Sequence, residues 1–371
     1  MAPTAGRAAA RDLAYMRRAL ALARRGWGWT APNPMVGAVI VRGERIVGTG
    51  HHARYGEAHA EIAALAEAGA RARGATAYVT LEPCVHQGKT PPCVTALIKA
   101  GLRRVVIATR DPNPVARGGV EKLRRAGVTV DVGVAAEDAR ELNAAFFHSF
   151  SAERPWVRLK LALSIDGAIA DAGGHSRWIT GASARAAAHR LRADSDAIAV
   201  GIGTVLSDDP ILTVRHARAP RVSPLRVVFD RQSRLPLASA LARTAGETRT
   251  VVVAEDADSQ RSKQLRQAGI EVLEASTLDF ALLALRARGV RSLLLEGGAR
   301  LAGSFLREAR VDRLIIFQAP VLLGEGALGA FDFAPRTELS DASRFPVLQR
   351  RRLGEDLMTV YALRDLTCSP D

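Results

Sequence analysis

The sequence predicts two unlike α/β domains in one chain. A chain of 371 residues is long enough for two domains that each bury a core. Strand-like apolar runs alternate with helical patterns along its length. The pattern restarts at "FHSFSAERPWVRLKLALSIDG", where a polar break precedes Pro155 and a new strand begins at Trp156. We therefore place the boundary between His148 and Pro155, with domains over residues 1–148 and 155–371.

The first domain alternates helices and strands. Apolar residues at helical spacing predict a first helix from about Asp12 to Arg25, ended by Gly26. Further helices are predicted at Glu57–Ala68, over "CVTALIKAG" and at Ala136–Phe147, and strands at Met35–Val41, over "RIVGTG", at Ala77–Leu81 and at Arg104–Thr109. The segment "GVEKLRRAGVTVDVGV" adds one more helix and strand. Such alternation is typical of a largely parallel sheet layered with helices.

The second domain alternates in the same way. Its predicted strands lie near Val157–Leu163, Ala197–Gly201, Arg226–Phe229, Thr250–Ala254, Ser292–Glu296 and Leu314–Gln318, with helices between them. No apolar run approaches the roughly 18 residues that a membrane-spanning helix needs, so we expect no membrane association. Three cysteines cannot form a disulfide framework, which indicates a reducing, cytoplasmic location.

The net charge of +14 comes almost entirely from arginines scattered over predicted helix surfaces. A solvated basic surface is the simplest interpretation. Electrostatic steering of phosphorylated small molecules is a second interpretation, and nucleic-acid binding is a third. Aromatic residues make up 5% of the chain, and no basic stripe with interleaved aromatics is present, so no nucleic-acid partner is predicted.

The segment "LEPCVHQGKTPPC" contains two of the three cysteines, Cys84 and Cys93. A catalytic zinc ion takes three protein ligands and leaves one position for water. His59, at the start of a predicted helix, supplies a third ligand, and Cys93 opens a helix whose N-terminus favours a thiolate. Glu61, two residues after His59, is placed to act on the water without ligating the metal. This pattern is typical of zinc deaminases.

The pattern predicts hydrolytic deamination. Zinc makes water reactive at neutral pH, and Glu61 moves the proton from this water to the ring nitrogen and the leaving ammonia. One alternative is a nucleic-acid deaminase with an appended binding domain. A second is a structural zinc module, but structural sites usually fill all four positions with protein ligands, and only three are found here.

Spacing and flanking segments narrow the prediction. Three segments closely resemble the deaminase half of the bifunctional riboflavin-biosynthesis deaminase–reductase family. They are the insert "VHQGKTPP" between the two cysteines, the segment "PNPMVGAVIV" and the segment "GHHARYGEAHAE". In the second half, "VRLKLALSIDGAIA", "GHSRWITG", "LRADSDAIAVGIGTVLSDDPILTVR" and "LLLEGGARLAGSFL" resemble its reductase blocks in order. The resemblance extends from about Asp12 to the final strand. It implies a cytidine-deaminase-like three-layer α/β/α domain followed by a dihydrofolate-reductase-like α/β domain.

The resemblance also implies an activity and two cofactors. The first domain would deaminate 2,5-diamino-6-(5-phosphoribosylamino)pyrimidin-4(3H)-one, using one zinc ion per chain. The second would reduce the ribosyl group of the product, 5-amino-6-(5-phosphoribosylamino)uracil, to ribityl with NADPH. The partners are then small phosphorylated pyrimidines, and a homo-oligomer, either a dimer or a tetramer, is expected.

Site residues follow from the same resemblance. In the deaminase, Asn33 and His51 would line the base pocket, and His86, Lys89 and Thr90 would approach the ring and sugar phosphate, although this loop could equally serve to hold Cys93. In the reductase, the NADPH contacts would be Ala162, Trp178, Thr204, Asp208, Gly298, Ala299, Arg300, Leu301, Ala302, Gly303 and Ser304. The substrate contacts would be Lys160, Ser176, Arg192, Leu212, Arg215 and Glu296.

The physical interpretation of these reductase residues leaves alternatives open. Arg192 and Arg215 suit phosphate, because guanidinium groups bind it in bidentate fashion. The glycine turn after "LLLE" opens a helix N-terminus that suits a pyrophosphate, but it could be a simple connector. Lys160 either orients the sugar or forms an ion pair. Arg231 either pairs with the NADPH 2′-phosphate or faces solvent.

Overall fold

The computed structural model describes residues 3–88, 91–331, 333–335 and 337–365. The chain divides into two compact units, one ending at Ser151 and the other spanning Ala152–Asp365. None of the helices in the described part of the chain combines the length and hydrophobicity needed to cross a bilayer.

The first unit is a three-layer α/β/α domain. Its helices are α1 Pro3–Ala23, α2 Ala60–Ala68, α3 Cys93–Lys99, α4 Gly119–Arg125, α5 Ala136–Leu142 and α6 Ala144–Ser151. Its strands are β1 Gly37–Arg42, β2 Arg45–His51, β3 Thr76–Val79, β4 Arg104–Ile107 and β5 Thr129–Val132, in the sheet order β2-β1-β3-β4-β5. One core packs α2, α3 and α4 on one face of the sheet, and a second packs α1 and α5 on the other.

The sheet of the first unit is mixed rather than largely parallel. Strands β3, β4 and β5 are parallel, but β1 is antiparallel to both β2 and β3. The hairpin explains the first of these pairings, because only Gly43 and Glu44 connect the paired residues Arg42 and Arg45. So short a connection cannot return the chain in a parallel direction. Gly43 has a φ of +63° in this turn, which favours glycine.

Three predicted helices differ in extent from the structure, and one of them, α2, begins at Ala60 rather than at Glu57. Helix α1 begins at Pro3 rather than near Asp12. The predicted helix Ala136–Phe147 is two helices, α5 and α6, separated at Asn143. The Asn143 side chain accepts a hydrogen bond from the Met35 amide (2.7 Å) and donates one to the Met35 carbonyl (2.9 Å). This buried contact with a distant segment interrupts a sequence that reads locally as one helix.

Close packing of α2 against β2 positions the start of α2. A Cβ atom on Gly48 would lie 2.2 Å from the Ala64 carbonyl oxygen, and one on Gly50 would lie 2.1 Å from that of Ala60. Only glycine permits this approach. The two glycines of "RIVGTG" thus allow the helix that follows His59 to rest directly on the sheet.

The second unit contains a nine-stranded sheet. Its strands are β6 Trp156–Leu163, β7 Ala168–Ala170, β8 Ala197–Gly201, β9 Leu225–Phe229, β10 Thr250–Ala254, β11 Glu271–Glu274, β12 Ser292–Leu295, β13 Arg313–Gln318, β14 Leu328–Gly329, β15 Val347–Leu353 and β16 Asp356–Ala362. Its helices are α7 Ala182–Ala193, α8 Ile202–Asp208, α9 Ala240–Arg243, α10 Gln260–Gln267, α11 Leu278–Ala287 and α12 Ala299–Arg307.

The order of the large sheet is β11-β10-β9-β8-β12-β6-β13-β16-β15, with β14 and β7 forming a separate pair. All neighbours from β11 to β13 are parallel, and the β15–β16 hairpin is antiparallel at the edge. The six predicted strands all lie inside the sheet. The remaining inside strand, β16, and the edge strand β11 are not among the predicted strands. Strand β15, "VLQRRRL", was not predicted individually, because its exposed, arginine-rich face lacks the apolar alternation typical of a strand.

Candidate active sites

The three predicted zinc ligands converge in the first unit. The Nδ1 atom of His59 and the Sγ atoms of Cys84 and Cys93 lie within 4.8 Å of one another. Nδ1 of His59 is 3.2 Å from Sγ of Cys93 and 3.7 Å from Sγ of Cys84. Tetrahedral zinc with bonds of about 2.0–2.3 Å has ligand atoms roughly 3.5 Å apart. The donor set and its spacing therefore fit zinc, with one position left for a small molecule.

Secondary structure brings these ligands together. His59 is the N-cap of α2, and Cys93 is the first residue of α3. Cys84 lies in the loop after β3, and Cys93 donates its backbone N–H to the Cys84 sulfur at 3.5 Å. Hydrogen bonds from Cys93 and His59 lower the pKa of the Cys84 thiol below its usual range. A lowered thiol pKa favours the thiolate, which is the form that binds a metal ion.

Glu61 lies beside the ligands in a cavity of about 260 Å³. Its side chain is 4% exposed, and burial raises its pKa to about 7. A carboxyl group in that range can both accept and release a proton at neutral pH. The other polar side chains lining the cavity include Asn33, His52, Tyr55, Glu57, Glu82, His86, Asp111 and Asn113, and Phe146 adds an aromatic wall.

The cavity lining differs from the prediction at one position. It includes His52 but not His51, and a base contact by His51 stays a prediction. The ring nitrogens of His52 lie 3.2 Å from the Asn33 amide nitrogen and 3.1 Å from the Ala58 carbonyl oxygen. Adjacent side chains of an extended segment point in opposite directions, and His51 is the last residue of β2.

The remaining loop predictions differ in outcome. Asn33 and His86 both line the cavity. The His86 Nδ1 atom is buried and has no hydrogen-bond partner among the described residues. Lys89 and Thr90 lie outside the described residues.

Two acidic residues of this site were missed in the sequence. Glu82 is 3% exposed and accepts hydrogen bonds from the backbone amides of Asp111, Gly118 and Val120 at 3.0–3.1 Å. It thereby holds the loop after β4 against the cavity. Burial raises the pKa of Asp111 to about 7. Both residues follow the carboxyl ends of parallel strands, where ligand sites commonly form, and this position could have indicated them.

The second unit gathers several predicted reductase residues near the carboxyl ends of β8 and β12. Gly298 is the N-cap of α12, and a Cβ on Gly298 would lie 3.5 Å from the Thr204 hydroxyl. The Ser176 hydroxyl donates a hydrogen bond to Asp208 at 3.2 Å. Trp178 is 68% exposed, and Ala162 is partly buried on β6. The first turn of α12 thus presents backbone amides beside Thr204.

A buried charge cluster occupies the same unit. Arg192 forms a bidentate ion pair with Glu296, at 2.6 and 2.8 Å, and also donates to the Thr213 carbonyl at 3.0 Å. Although burial opposes ionisation, Arg192 and Lys160 hold the pKa of Glu296 at about 2. Burial lowers the pKa of Lys160. Arg192 is therefore engaged by protein groups.

Arg215 differs from Arg192. Its side chain is exposed and forms no ion pair with any residue that the structure describes. The Leu212 side chain is 2% exposed and packs in the core, so a substrate contact at this position has to come from the main chain. Arg231 pairs with Glu255 at an exposed position.

Comparisons with known proteins agree with this geometry. Residues 9–109 match the family model "Cytidine and deoxycytidylate deaminase zinc-binding region", and residues 155–356 match "RibD C-terminal domain". The chain thus joins a zinc-binding deaminase domain to a reductase domain that uses a nicotinamide cofactor.

Whole-chain relatives define the family. The riboflavin biosynthesis protein RibD of Aquifex aeolicus is 43% identical over 94% of this chain and 98% of its own length. That of Escherichia coli is 42% identical over 93% of this chain and 98% of its own length. The chain belongs to the RibD family, the bifunctional deaminase–reductases of riboflavin biosynthesis, and the resemblance found in the sequence is confirmed.

Solved structures give the same result. The Acinetobacter baumannii RibD structure superposes with a TM-score of 0.82 at 39% identity, covering 95% of this chain and 99% of that chain. A diaminohydroxyphosphoribosylaminopyrimidine deaminase/5-amino-6-(5-phosphoribosylamino)uracil reductase from Thermotoga maritima superposes with a TM-score of 0.84 at 35% identity, with the same two coverages. The predicted fold class is confirmed.

Proposed function

We propose that residues 1–148 deaminate 2,5-diamino-6-(5-phosphoribosylamino)pyrimidin-4(3H)-one and that residues 155–371 reduce the ribosyl group of the product to ribityl with NADPH. The observation that carries the proposal is the convergence of His59, Cys84 and Cys93 within 4.8 Å beside the buried Glu61. The activities in the description of the Thermotoga maritima relative support the substrate class. Whole-chain relatives pair a deaminase with a reductase, so a nucleic-acid deaminase is not favoured.

In the deaminase, His59, Cys84 and Cys93 would hold the zinc ion, which supplies activation of water at neutral pH. Glu61 accepts one proton from the attacking water and passes it to the ring nitrogen. It then passes the second proton of that water to the amino group, which leaves as ammonia when the C–N bond breaks and the carbonyl forms. The cavity residues Asn33 and His86 would contact the base, and the buried Nδ1 of His86 suits a polar ligand atom.

In the reductase, the cofactor supplies hydride, and the protein orients the two reactants. Backbone amides in the first turn of α12 suit the cofactor pyrophosphate, and the proposed cofactor segment is Gly298–Ser304. The exposed guanidinium of Arg215 suits the substrate phosphate. The proposed substrate site is completed by Lys160, Ser176, Leu212 and Glu296. The proposed cofactor site is completed by Ala162, Trp178, Thr204 and Asp208. Because Arg231 is paired with Glu255, the choice of NADPH rests on the family.

The test is a product analysis. Purified protein is incubated with the diaminopyrimidine, with and without NADPH, and the products are identified by mass. Without NADPH we expect one oxygen to replace one amino group. With NADPH we expect a further gain of two hydrogens. Recovery of unchanged substrate in both reactions would contradict the proposal.

The proposal extends to the partners. They are small phosphorylated pyrimidines, and the chain acts as a dimer or tetramer with no nucleic-acid partner. Light scattering measures the oligomeric state. The cytoplasmic location stays a prediction from the cysteine count.

A further inference from the structure

The segment 211–215 lies between α8 and β9 and has no regular secondary structure. Side chains from other elements bind its main chain. Arg226 donates to the Ile211 carbonyl at 3.3 Å, and Arg192 donates to the Thr213 carbonyl at 3.0 Å. Leu212 anchors the middle of the segment in the core with a φ of +53°. Its conformation is therefore set by tertiary contacts.

The last of these contacts is made by His189. Its Nδ1 atom accepts the backbone N–H of Arg215 at 3.1 Å. His189 lies on α7, one turn before Arg192, and its side chain is 7% exposed. The ring of His216 packs edge-on against it, with centroids 4.9 Å apart. The imidazole is thus fixed from two sides and is directed at the main chain of the residue proposed to bind phosphate.

The charge state of His189 agrees with this role. Burial, together with the positive charges of nearby Arg192 and Arg215, lowers its pKa to about 4. The ring is therefore neutral at physiological pH, and Nδ1 has a lone pair available to accept the Arg215 amide. A neutral ring also adds no positive charge beside the two arginines.

We propose that His189 is a positioning residue of the reductase, whose imidazole holds the Arg215 main chain so that the exposed guanidinium is directed at the substrate phosphate. The inference rests on the proposed function, in which Arg215 binds that phosphate. The side chain of Arg215 is exposed and forms no ion pair with any other described residue. The fixed backbone at this position is what restricts where the guanidinium can reach.

The test compares three variants of the full-length protein. His189→Leu removes the Nδ1 acceptor and fills the buried position with an apolar side chain. His189→Asn keeps an oxygen acceptor close to the position of Nδ1. Arg215→Met removes the guanidinium. The Michaelis constant is measured by NADPH oxidation with 5-amino-6-(5-phosphoribosylamino)uracil and with its dephosphorylated analogue.

For His189→Leu we expect the KM of the phosphorylated substrate to rise about three- to tenfold, the effect of one net hydrogen bond. The kcat, the KM for NADPH and the KM of the dephosphorylated analogue should change less than about twofold. His189→Asn should restore most of the loss. Phosphate discrimination is the ratio of the KM of the dephosphorylated analogue to that of the phosphorylated substrate. When Arg215→Met is already present, adding His189→Leu should cause no further loss of this discrimination, because both changes act on one contact.

Several outcomes would overturn the inference. An equal rise in KM for both substrates would show that the ring acts only through packing. An equal rise in KM in His189→Leu and His189→Asn would show the same. An Arg215→Met variant with unchanged phosphate discrimination would instead refute the proposed phosphate site. Loss of discrimination in Arg215→Met but not in His189→Leu would refute only the role of His189. If His189→Leu does not fold, His189→Phe replaces it, because phenylalanine keeps a ring that can pack against His216 but has no hydrogen-bond acceptor.

Discussion

At the scale of single residues, surroundings decide what a side chain can do. Arg192 and Arg215 are equivalent by sequence, since both are arginines in a segment that resembles a reductase block. The structure separates them, because Glu296 and Thr213 engage Arg192, whereas Arg215 is exposed. The same amino acid therefore forms a buried ion pair at one position and has an exposed guanidinium at the other, as the proposed phosphate contact of Arg215 requires.

This difference predicts distinct effects of substitution. Arg215→Met should raise the reductase KM for the phosphorylated substrate about tenfold to a hundredfold, because a charge-assisted hydrogen bond contributes roughly 1.5–3 kcal/mol. Arg192→Met, in contrast, should lower the free energy of unfolding by about 3–5 kcal/mol, because it leaves Glu296 buried without its partner. Steady-state kinetics and urea unfolding monitor the two effects. Equal unfolding midpoints for both variants would contradict this assignment.

Glu61 offers a test of the deaminase chemistry. Glu61→Gln keeps the size and polarity of the side chain but cannot carry a proton. We expect deamination to fall by about 10²–10⁴-fold, with zinc content unchanged, because Glu61 is not a ligand. Supplied with deaminated substrate and NADPH, the variant should oxidise NADPH at the normal rate. Loss of zinc would instead make Glu61 a metal ligand.

At the scale of elements, contacts distant in sequence decide where helices end. The segment 136–147 has no proline or glycine, so nothing local predicts a break. Asn143 breaks it because its amide satisfies both main-chain groups of Met35, which is 7% exposed. The contact joins α5 and α6 to the segment that leads from Asn33 into β1, and so connects helix packing to the wall of the deaminase cavity.

Removing this contact should be costly. Asn143→Ala leaves the buried amide and carbonyl of Met35 unpaired, and we expect a loss of about 2–4 kcal/mol in the free energy of unfolding, from two groups at roughly 1–2 kcal/mol each. Glu137→Ala, at an exposed position of α5, is the control and should change stability by less than about 0.5 kcal/mol. Urea unfolding monitored by circular dichroism measures both. A loss no larger than that of the control would show that the break at Asn143 has another cause.

At the scale of the whole molecule, the two chemistries reside in separate compact units. The proposed zinc ligands all lie before residue 94, and the proposed reductase residues all lie after residue 155. Each unit has its own sheet and its own hydrophobic clusters. The two activities should therefore be separable by treatments that affect only one unit.

Zinc removal provides such a treatment. We expect about one zinc per chain by elemental analysis, and no change in that number in Cys368→Ser, although Cys368 lies outside the described residues. Dialysis against a chelator should abolish deamination and leave NADPH oxidation with deaminated substrate unchanged, and added zinc should restore the first activity. Halved zinc content in Cys368→Ser would refute the three-ligand site. Parallel loss of both activities would show that the units depend on each other.

The sequence by itself determined the division into two α/β domains, the family, and the donor set His59, Cys84 and Cys93 with Glu61. These features are readable because they depend on short spacings and on the periodicity of apolar residues, both of which are local properties of the chain. Six of the seven strands inside the large sheet are predicted for the same reason, since they are apolar runs.

Only the tertiary structure decided which of two adjacent histidines faces the cavity, that Glu82 holds the loop carrying Asp111, and that Arg192 is paired while Arg215 is exposed. The same is true of the break at Asn143 and of the antiparallel pairing of β1 with β3. Each of these depends on a partner tens of residues away, brought close by the order of strands in a sheet. That order is set by how all the elements bury their apolar faces together, and no local spacing in the chain records it.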